Sequence, residues 1–414
     1  MKSTISYLGD APLTGDALRL IPPKNQSLFY LQSLTLAAMT NSNMTSAILV
    51  LFAIELEASV PEIGIIAAAG AYASVVSRLV FGVFSDRFGR RPIILFGLVA
   101  DLLSALLCAV ANSPHLLIVA SLLEGLKWSA YFSTGLALVA DVANQSEREK
   151  AVANYTLVSA IGMLAGPGLT TLLLLFIKIR EVFYLESAIA LAVLLAAHFL
   201  VRDPPVRRTL QERTALNLWQ VAKNKNVLDA SVLTFFFFFV EPSVFTYGSV
   251  YGVKVLYLSG SEVTALGTLK ALVMIGVRYF ISNIEKNIGR RSLLLATFVL
   301  VLVFIPLIGF TSFYLQLAAI IVVFGVAHGA IFPVTAMMVS ESTGPSDRGL
   351  ANAFYLTLGD LSSAISPTLF GYIADAMGLR SVFLVMSVPA ALGMAVAFRA
   401  GPSTSRPDRA PAQG

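Results

Sequence analysis

Eight ionisable side chains sit inside stretches otherwise apolar enough for hydrocarbon: Arg78, Lys127, Lys270 and Arg278 against Asp101, Glu124, Glu241 and Asp360. A charge in such a setting costs at least a few kcal/mol, so each must pair, exchange a proton or meet a ligand. Spacing sorts them. Glu124 and Lys127, three apart, can pair on one helix face. Glu241 is the first candidate proton carrier, because Pro242 removes a backbone hydrogen bond beside it, and Asp360 is the second. Arg78 and Arg278 could clamp a carboxylate or another anion between them. His328 could relay protons. Asp101 reads as structural. With Asn41, the counterpart of Glu241 in the repeat described below, and Tyr247 from an aromatic run, the candidate substrate contacts are Asn41, Arg78, Glu124, Lys127, Tyr247, Lys270, Arg278 and His328. One cysteine, Cys108, and three histidines give no disulfide, no metal cluster and no catalytic constellation. No enzymatic activity and no cofactor are expected of the chain.

These residues are carried on a sequence written twice, displaced by 200 positions. Gly89-Arg90-Arg91 recurs as Gly289-Arg290-Arg291, and Glu62, Arg78, Gly125, Arg148, Tyr155 and Pro167 recur as Glu262, Arg278, Gly325, Arg348, Tyr355 and Pro367. A duplicated apolar unit of this kind marks a transporter of two halves with its substrate site between them.

Hydrophobic residues make up 57% of the chain and charged residues 13%, too few charges to dress a soluble surface. Apolar runs of roughly 20 residues, each able to cross ~30 Å of hydrocarbon, recur twelve times. Six lie at about 31–56, 62–84, 93–111, 116–142, 149–176 and 182–201, and six at about 229–256, 262–284, 292–311, 314–342, 349–376 and 381–399. The expected fold is all-α: twelve transmembrane helices in two pseudo-symmetric six-helix bundles. The expected division is a tail at 1–28, a bundle at 29–201, a linker at 202–227, a bundle at 228–400 and a tail at 401–414. The linker around Trp219 has the pattern of either a surface-lying amphipathic helix or a solvated connector. Of the 29 Lys and Arg, 21 fall in tails and loops on one side, four on the other and four within spans. By the positive-inside rule both termini are cytoplasmic. The net charge of +5 follows that topology and does not indicate nucleic-acid binding.

The loop after the second run reads Gly82-Val83-Phe84-Ser85-Asp86-Arg87-Phe88-Gly89-Arg90-Arg91. It resembles the G-x-x-x-D-R-x-G-R-R signature of the major facilitator superfamily, and with twelve runs and the repeat the resemblance covers essentially the whole chain. Gly82 is expected to let two helices approach closely and Gly89 to make a tight turn. In the family this loop latches the halves in the outward-facing state. The resemblance thus assigns gating to Gly82, Asp86, Arg87, Gly89, Arg90 and Arg91, and to a charge network formed by Asp141, Arg148, Glu341 and Arg348. The second copy departs from the pattern: Ser282, Lys286 and Asn287 replace Gly, Asp and Arg, and Glu285 brings a carboxylate one position earlier. Gly162, Gly166 and Pro167 resemble the G-x-x-x-G-P helix segment of the superfamily's proton-coupled antiporters, drug exporters among them.

The resemblance implies a plasma-membrane transporter working by alternating access: a proton-coupled exporter of small amphipathic molecules, functional as a monomer. Its partners would be the bilayer, a small-molecule substrate and protons. Two alternatives stand beside it, an organic-anion carrier using Arg78 and Arg278, and a transporter-like sensor that binds without moving its ligand.

Overall fold

Gly89 and Gly289 have φ of +114° and +81°, a region that only glycine enters freely. Each is the single residue on which one long helix ends and the next begins. At the other end of those hairpins, Ser59 and Glu62 form a reciprocal capping box on the entering helix, and Ser259 and Glu262 repeat it. Sequence-encoded stops of this kind cut the apolar runs into rods.

The computed structural model describes residues 26–144, 147–203, 223–344 and 348–399. Its described regular structure is helical throughout. The first half comprises α1 (Gln26–Glu55), α2 (Val60–Phe88), α3 (Arg90–Val110), α4 (Pro114–Val142), α5 (Arg148–Leu173) and α6 (Ile179–Leu200). The second comprises α7 (Lys225–Lys254), α8 (Gly260–Ile288), α9 (Arg290–Phe310), α10 (Tyr314–Glu341), α11 (Arg348–Met377) and α12 (Leu379–Arg399). Eleven of these are long and apolar enough to span a membrane. The twelfth, α11, has the length but carries Asp360 and three serines. Residues 1–25 and 401–414 of the expected tails, and residues 204–222 of the expected linker with Trp219, lie outside the described residues; residues 26–28 of the expected first tail already belong to α1, and residues 225–227 of the expected linker to α7.

Small residues set the helix distances. A Cβ on Gly162 would lie 2.6 Å from that of Met39, and one on Gly166 would lie 2.6 Å from that of Asn43, so α5 rests directly on α1. Gly125 brings α4 onto the backbone of α2 at Gly70, and Gly325 brings α10 onto α8 at Lys270. Pro167, Pro242, Pro333 and Pro367 all lie inside helices. In α4 a π-helical turn, Trp128–Phe132, follows Lys127 directly.

The halves meet through α2 with α11 and α5 with α8. Thr171 Oγ1 donates to Thr264 Oγ1 at 3.0 Å, Gly64 abuts the Pro367 carbonyl, and Gly371 abuts Pro61. An apolar cluster of α1 and α2 residues takes in Val250 and Val263 from the second half. These contacts seal the end bearing the 56–59 and 255–259 turns. At the opposite end, where the loops of Gly89 and Gly289 lie, the corresponding cluster under α1 is built from first-half residues.

Candidate functional site

Within the second half, α7, α8 and α10 bring three polar groups together. Lys270 Nζ donates to Glu241 Oε1 at 2.6 Å, and His328 Nδ1 stands 3.5 Å from the same oxygen without hydrogen-bond geometry. Their side chains are 12–15% exposed, so water reaches the group while protein holds it. Lys270 also lies 4.6 Å from the centre of the Phe245 ring, a face that attracts cations.

Between the halves, Arg78 of α2 forms an ion pair with Asp360 of α11 at 2.5 Å. This corrects the expected arginine clamp. The carboxylate that Arg78 would take from a ligand is already supplied by Asp360 of the protein. Arg278 differs: among the described residues no carboxylate pairs with it, its Nε has no partner, and its guanidinium lies 5.5 Å from the Phe332 ring. The two arginines are related by the repeat but are not equivalent in environment.

A second polar group is sealed within the first half. Lys127 Nζ donates to Asp101 Oδ1 at 2.9 Å and to Glu124 Oε2 at 2.8 Å. Asn41 Nδ2 donates to Asp101 Oδ2 at 3.4 Å, and Ser42 Oγ to Glu124 Oε2 at 3.1 Å. Glu186 of α6 joins them through Thr45, whose Oγ1 lies 2.6 Å from its Oε2. Asn41 and Lys127, expected at the substrate, are thus buried inside one bundle. Tyr247 is also fully buried. Its hydroxyl donates to the Pro367 carbonyl, making it a strut between α7 and α11 and leaving no face for cargo in this state. Sequence reasoning passed over Glu186. It lies near the start of α6, where a carboxylate is ordinarily read as a partner of the helix dipole. The signal available was a glutamate seven positions inside α6, too deep for that role.

The basic loops are organised within each half. Arg90 Nε donates to Asp141 Oδ2 at 3.2 Å and Arg90 Nη1 to Ser85 Oγ at 2.6 Å. Arg90 and Arg91 amides donate to Asp203 Oδ1, which caps α3 from beyond the end of α6. Arg290 grips Glu341 with two nitrogens, at 2.7 and 3.1 Å, and Glu285 with its Nε at 2.5 Å. Glu285 thus takes the place of Ser85 in the repeat. Arg87 and Arg148 are exposed, and the side chains of Asp86 and Arg348 lie outside the described residues. Gly82 corrects another expectation. A Cβ there would meet nothing within 4 Å, so the close helix approach expected of it is not made in this state. A cavity of about 710 Å³ lies at the sealed end, lined by Phe52, Glu55, Leu174, Arg180 and Ser261 among others. It is remote from both polar groups and does not mark the chemistry.

Twelve helices in two repeated bundles, with paired ionisable groups at their interface, are matched by a sequence model of the Major Facilitator Superfamily at residues 33–288 and 256–414. The chain belongs to this superfamily. It is a multi-pass membrane transporter of a small molecule, not an enzyme. Among relatives, it is 23% identical to multidrug resistance protein 2 of Bacillus subtilis over 75% of this chain and 80% of that one. It is 22% identical to the quinolone resistance protein NorA of Staphylococcus aureus over 79% and 84%. A bicyclomycin resistance protein homolog of Haemophilus influenzae is 27% identical, over 45% of this chain and about half (49%) of its own length. Two solved structures share the fold. The nucleoside transporter NupG has a TM-score of 0.75 at 11% identity, covering 91% of this chain and 99% of that one. A bacterial homolog of the human lysosomal transporter Spinster, inward-facing and unoccupied, has a TM-score of 0.78 at 13% identity, covering 90% and 96%.

Proposed function

We propose that this superfamily member is a proton-coupled exporter of small amphipathic molecules, working as a monomer in the plasma membrane by rocking of its halves about the midplane. The observation that carries the reading is the pairing of Glu241 with Lys270, partly open to water and flanked by aromatic rings. A positively charged amphipath entering between the bundles competes with Lys270 for Glu241, and so does a proton. Asp360, held by Arg78 across the interface, is the second such carboxylate. Similarity to multidrug and quinolone resistance proteins over three-quarters or more of the chain supports the cargo class. The excess of Lys and Arg in the loops supports cytoplasmic termini. With contacts between halves concentrated at the far end, we read this state as open to the cytoplasm. The bonds of Arg90 to Asp141 and of Arg290 to Glu341, each within its own half, support reading the signature loops as unlatched.

The test is flux into proteoliposomes under an imposed pH gradient. Glu241→Gln should abolish gradient-driven accumulation while leaving substrate exchange measurable. Undiminished accumulation against a gradient would remove Glu241 from the coupling. One observation favours a second reading, an organic-anion carrier: Arg278 has no carboxylate partner among the described residues.

A further inference from the structure

The ionisable cluster in the first half is unbalanced. It contains three carboxylates, Asp101, Glu124 and Glu186, and a single cation, Lys127. Asp101 and Glu186 are fully buried and Lys127 is 1% exposed. In such surroundings an uncompensated charge costs several kcal/mol. Lys127 reaches Asp101 and Glu124 directly, so Glu186 is the carboxylate without a cation of its own.

The hydrogen bonds show what is missing. Among the described residues, three atoms of the cluster are buried without a partner: Asn41 Oδ1, Glu124 Oε1 and Glu186 Oε1. All three are acceptors, and Asn41 is itself fully buried. The site therefore lacks donors. Thr45 has one hydroxyl hydrogen and two acceptors beside it, Glu186 Oε2 at 2.6 Å and the Asn41 carbonyl at 3.5 Å. An O–H on Glu186 would donate to Thr45 Oγ1 and free the threonine to bond the carbonyl one turn back, its usual partner in a helix.

The repeat supplies a control built into the molecule. At 200 positions on, Asp101, Glu124, Lys127 and Glu186 correspond to Val301, Phe324, Ala327 and Met386, each buried at 2% exposure or less. The same place in the second bundle is filled by ordinary apolar packing. The fold does not need charge there.

We infer that the Asp101–Glu124–Glu186–Lys127 cluster is a proton-binding site, with the proton added to a carboxylate oxygen of Glu186. The groups facing Glu186 are Thr45 on α1, Asp101 and Cys108 on α3, and Glu124 and Lys127 on α4. Tyr131, one turn beyond Lys127 in the π-helical segment, completes the wall through Thr35. Glu124, with 16% of its side chain exposed, is the member that communicates with water. The π turn that follows Lys127 sits where a small change in winding would move the lysine from one carboxylate to another, and such turns recur at functional sites. This inference deepens the proton-coupled reading by naming a second place for the coupling ion, but the bound proton can be measured without transport.

The measurement is infrared spectroscopy of the purified wild-type protein in H₂O and D₂O, reading the carbonyl stretch of protonated carboxyl groups. A band that persists at neutral pH and shifts in D₂O is expected. It should be lost in Glu186→Gln and unchanged in Glu241→Gln. Thr45→Val keeps Glu186 but removes its hydrogen-bond partner, so the band should move in frequency, a readout that holds even if the glutamine variant folds poorly. Absence of the band in wild type, or its survival unaltered in both Glu186→Gln and Thr45→Val, overturns the inference. Wild-type flux indifferent to a pH gradient, with the band present and lost in Glu186→Gln, refutes the coupling while supporting the bound proton.

Discussion

Breaking the Arg78–Asp360 ion pair should shift the balance between transporter states. The pair joins α2 to α11 across the two halves at 2.5 Å, with the side chains 21% and 31% exposed. Two unit charges about 4 Å apart attract by about 4 kcal/mol at an effective dielectric constant near 20. Partial solvation of both groups halves that figure, leaving about 2 kcal/mol. Taken as broken in the alternate state, the pair makes that energy differential between states, a roughly thirtyfold change in their ratio. The reporter is a cysteine pair at Thr171 and Thr264, whose hydroxyls are 3.0 Å apart at the sealed end, in a Cys108→Ser background. In Asp360→Asn or Arg78→Gln the rate of disulfide formation should fall, by about an order of magnitude where the two states are near balance and by less where the sealed state dominates. The exchange Arg78→Asp with Asp360→Arg should restore much of it. An unchanged cross-linking rate in both single variants would show that the pair is solvated filler with no bearing on the state of the interface.

Two further outcomes follow from the packing and the charge balance. Gly166→Ala should lower the melting temperature in detergent, by an overpacking cost of about 1–3 kcal/mol, because its methyl would overlap Asn43 and Thr40. Gly168→Ala, with Thr268 at 3.7 Å, should be neutral, and equal behaviour of the two would remove the packing role of the glycine spacing. Arg278→Lys separates the export and anion readings. Lysine keeps the charge but loses the two-pronged geometry, so binding of a carboxylate ligand, measured by calorimetry, should weaken severalfold only if Arg278 grips an anion.

The fold was legible because its determinants are local. Run length, single-residue glycine turns and the Ser-x-x-Glu boxes each act within a few positions, and the repeat doubled every signal. The Glu124–Lys127 pair was legible for the same reason, being three residues apart on one helix. What could not be read was which bundle face each polar residue takes and which distant residue meets it. Arg78 and Arg278 occupy the same register position, yet only Arg78 has an acidic partner, supplied by Asp360 from 282 positions away. Tyr247 looked like a cavity aromatic because the aromatic run it belongs to covers every face of α7, and its bond to the Pro367 carbonyl places it inside the bundle. Glu186 was missed because its partners lie on α1, α3 and α4, far away in sequence.

The symmetry of the backbone and the asymmetry of the charges belong together. Rocking two bundles about one interface requires matching helix crossings, and the Gly70–Gly125 contact is duly repeated at Lys270–Gly325. The exchange proposed above requires the opposite, two sites that answer differently to the same movement. Glu241, Lys270 and His328 correspond to Asn41, Gly70 and Trp128 in the first half, and the acidic cluster of the first half corresponds to apolar core in the second. Among the described residues each bundle therefore carries an ionisable cluster of its own, and the two clusters are opposite in character. The second-half site is neutral as a pair and partly exposed, which on the function proposed above lets cargo displace a partner. The first-half site is short of positive charge and buried except for part of Glu124, which suits the bound proton inferred above. A movement that changes the winding of α4 beside Lys127 would alter the closed site without disturbing the helix crossings that the two halves share.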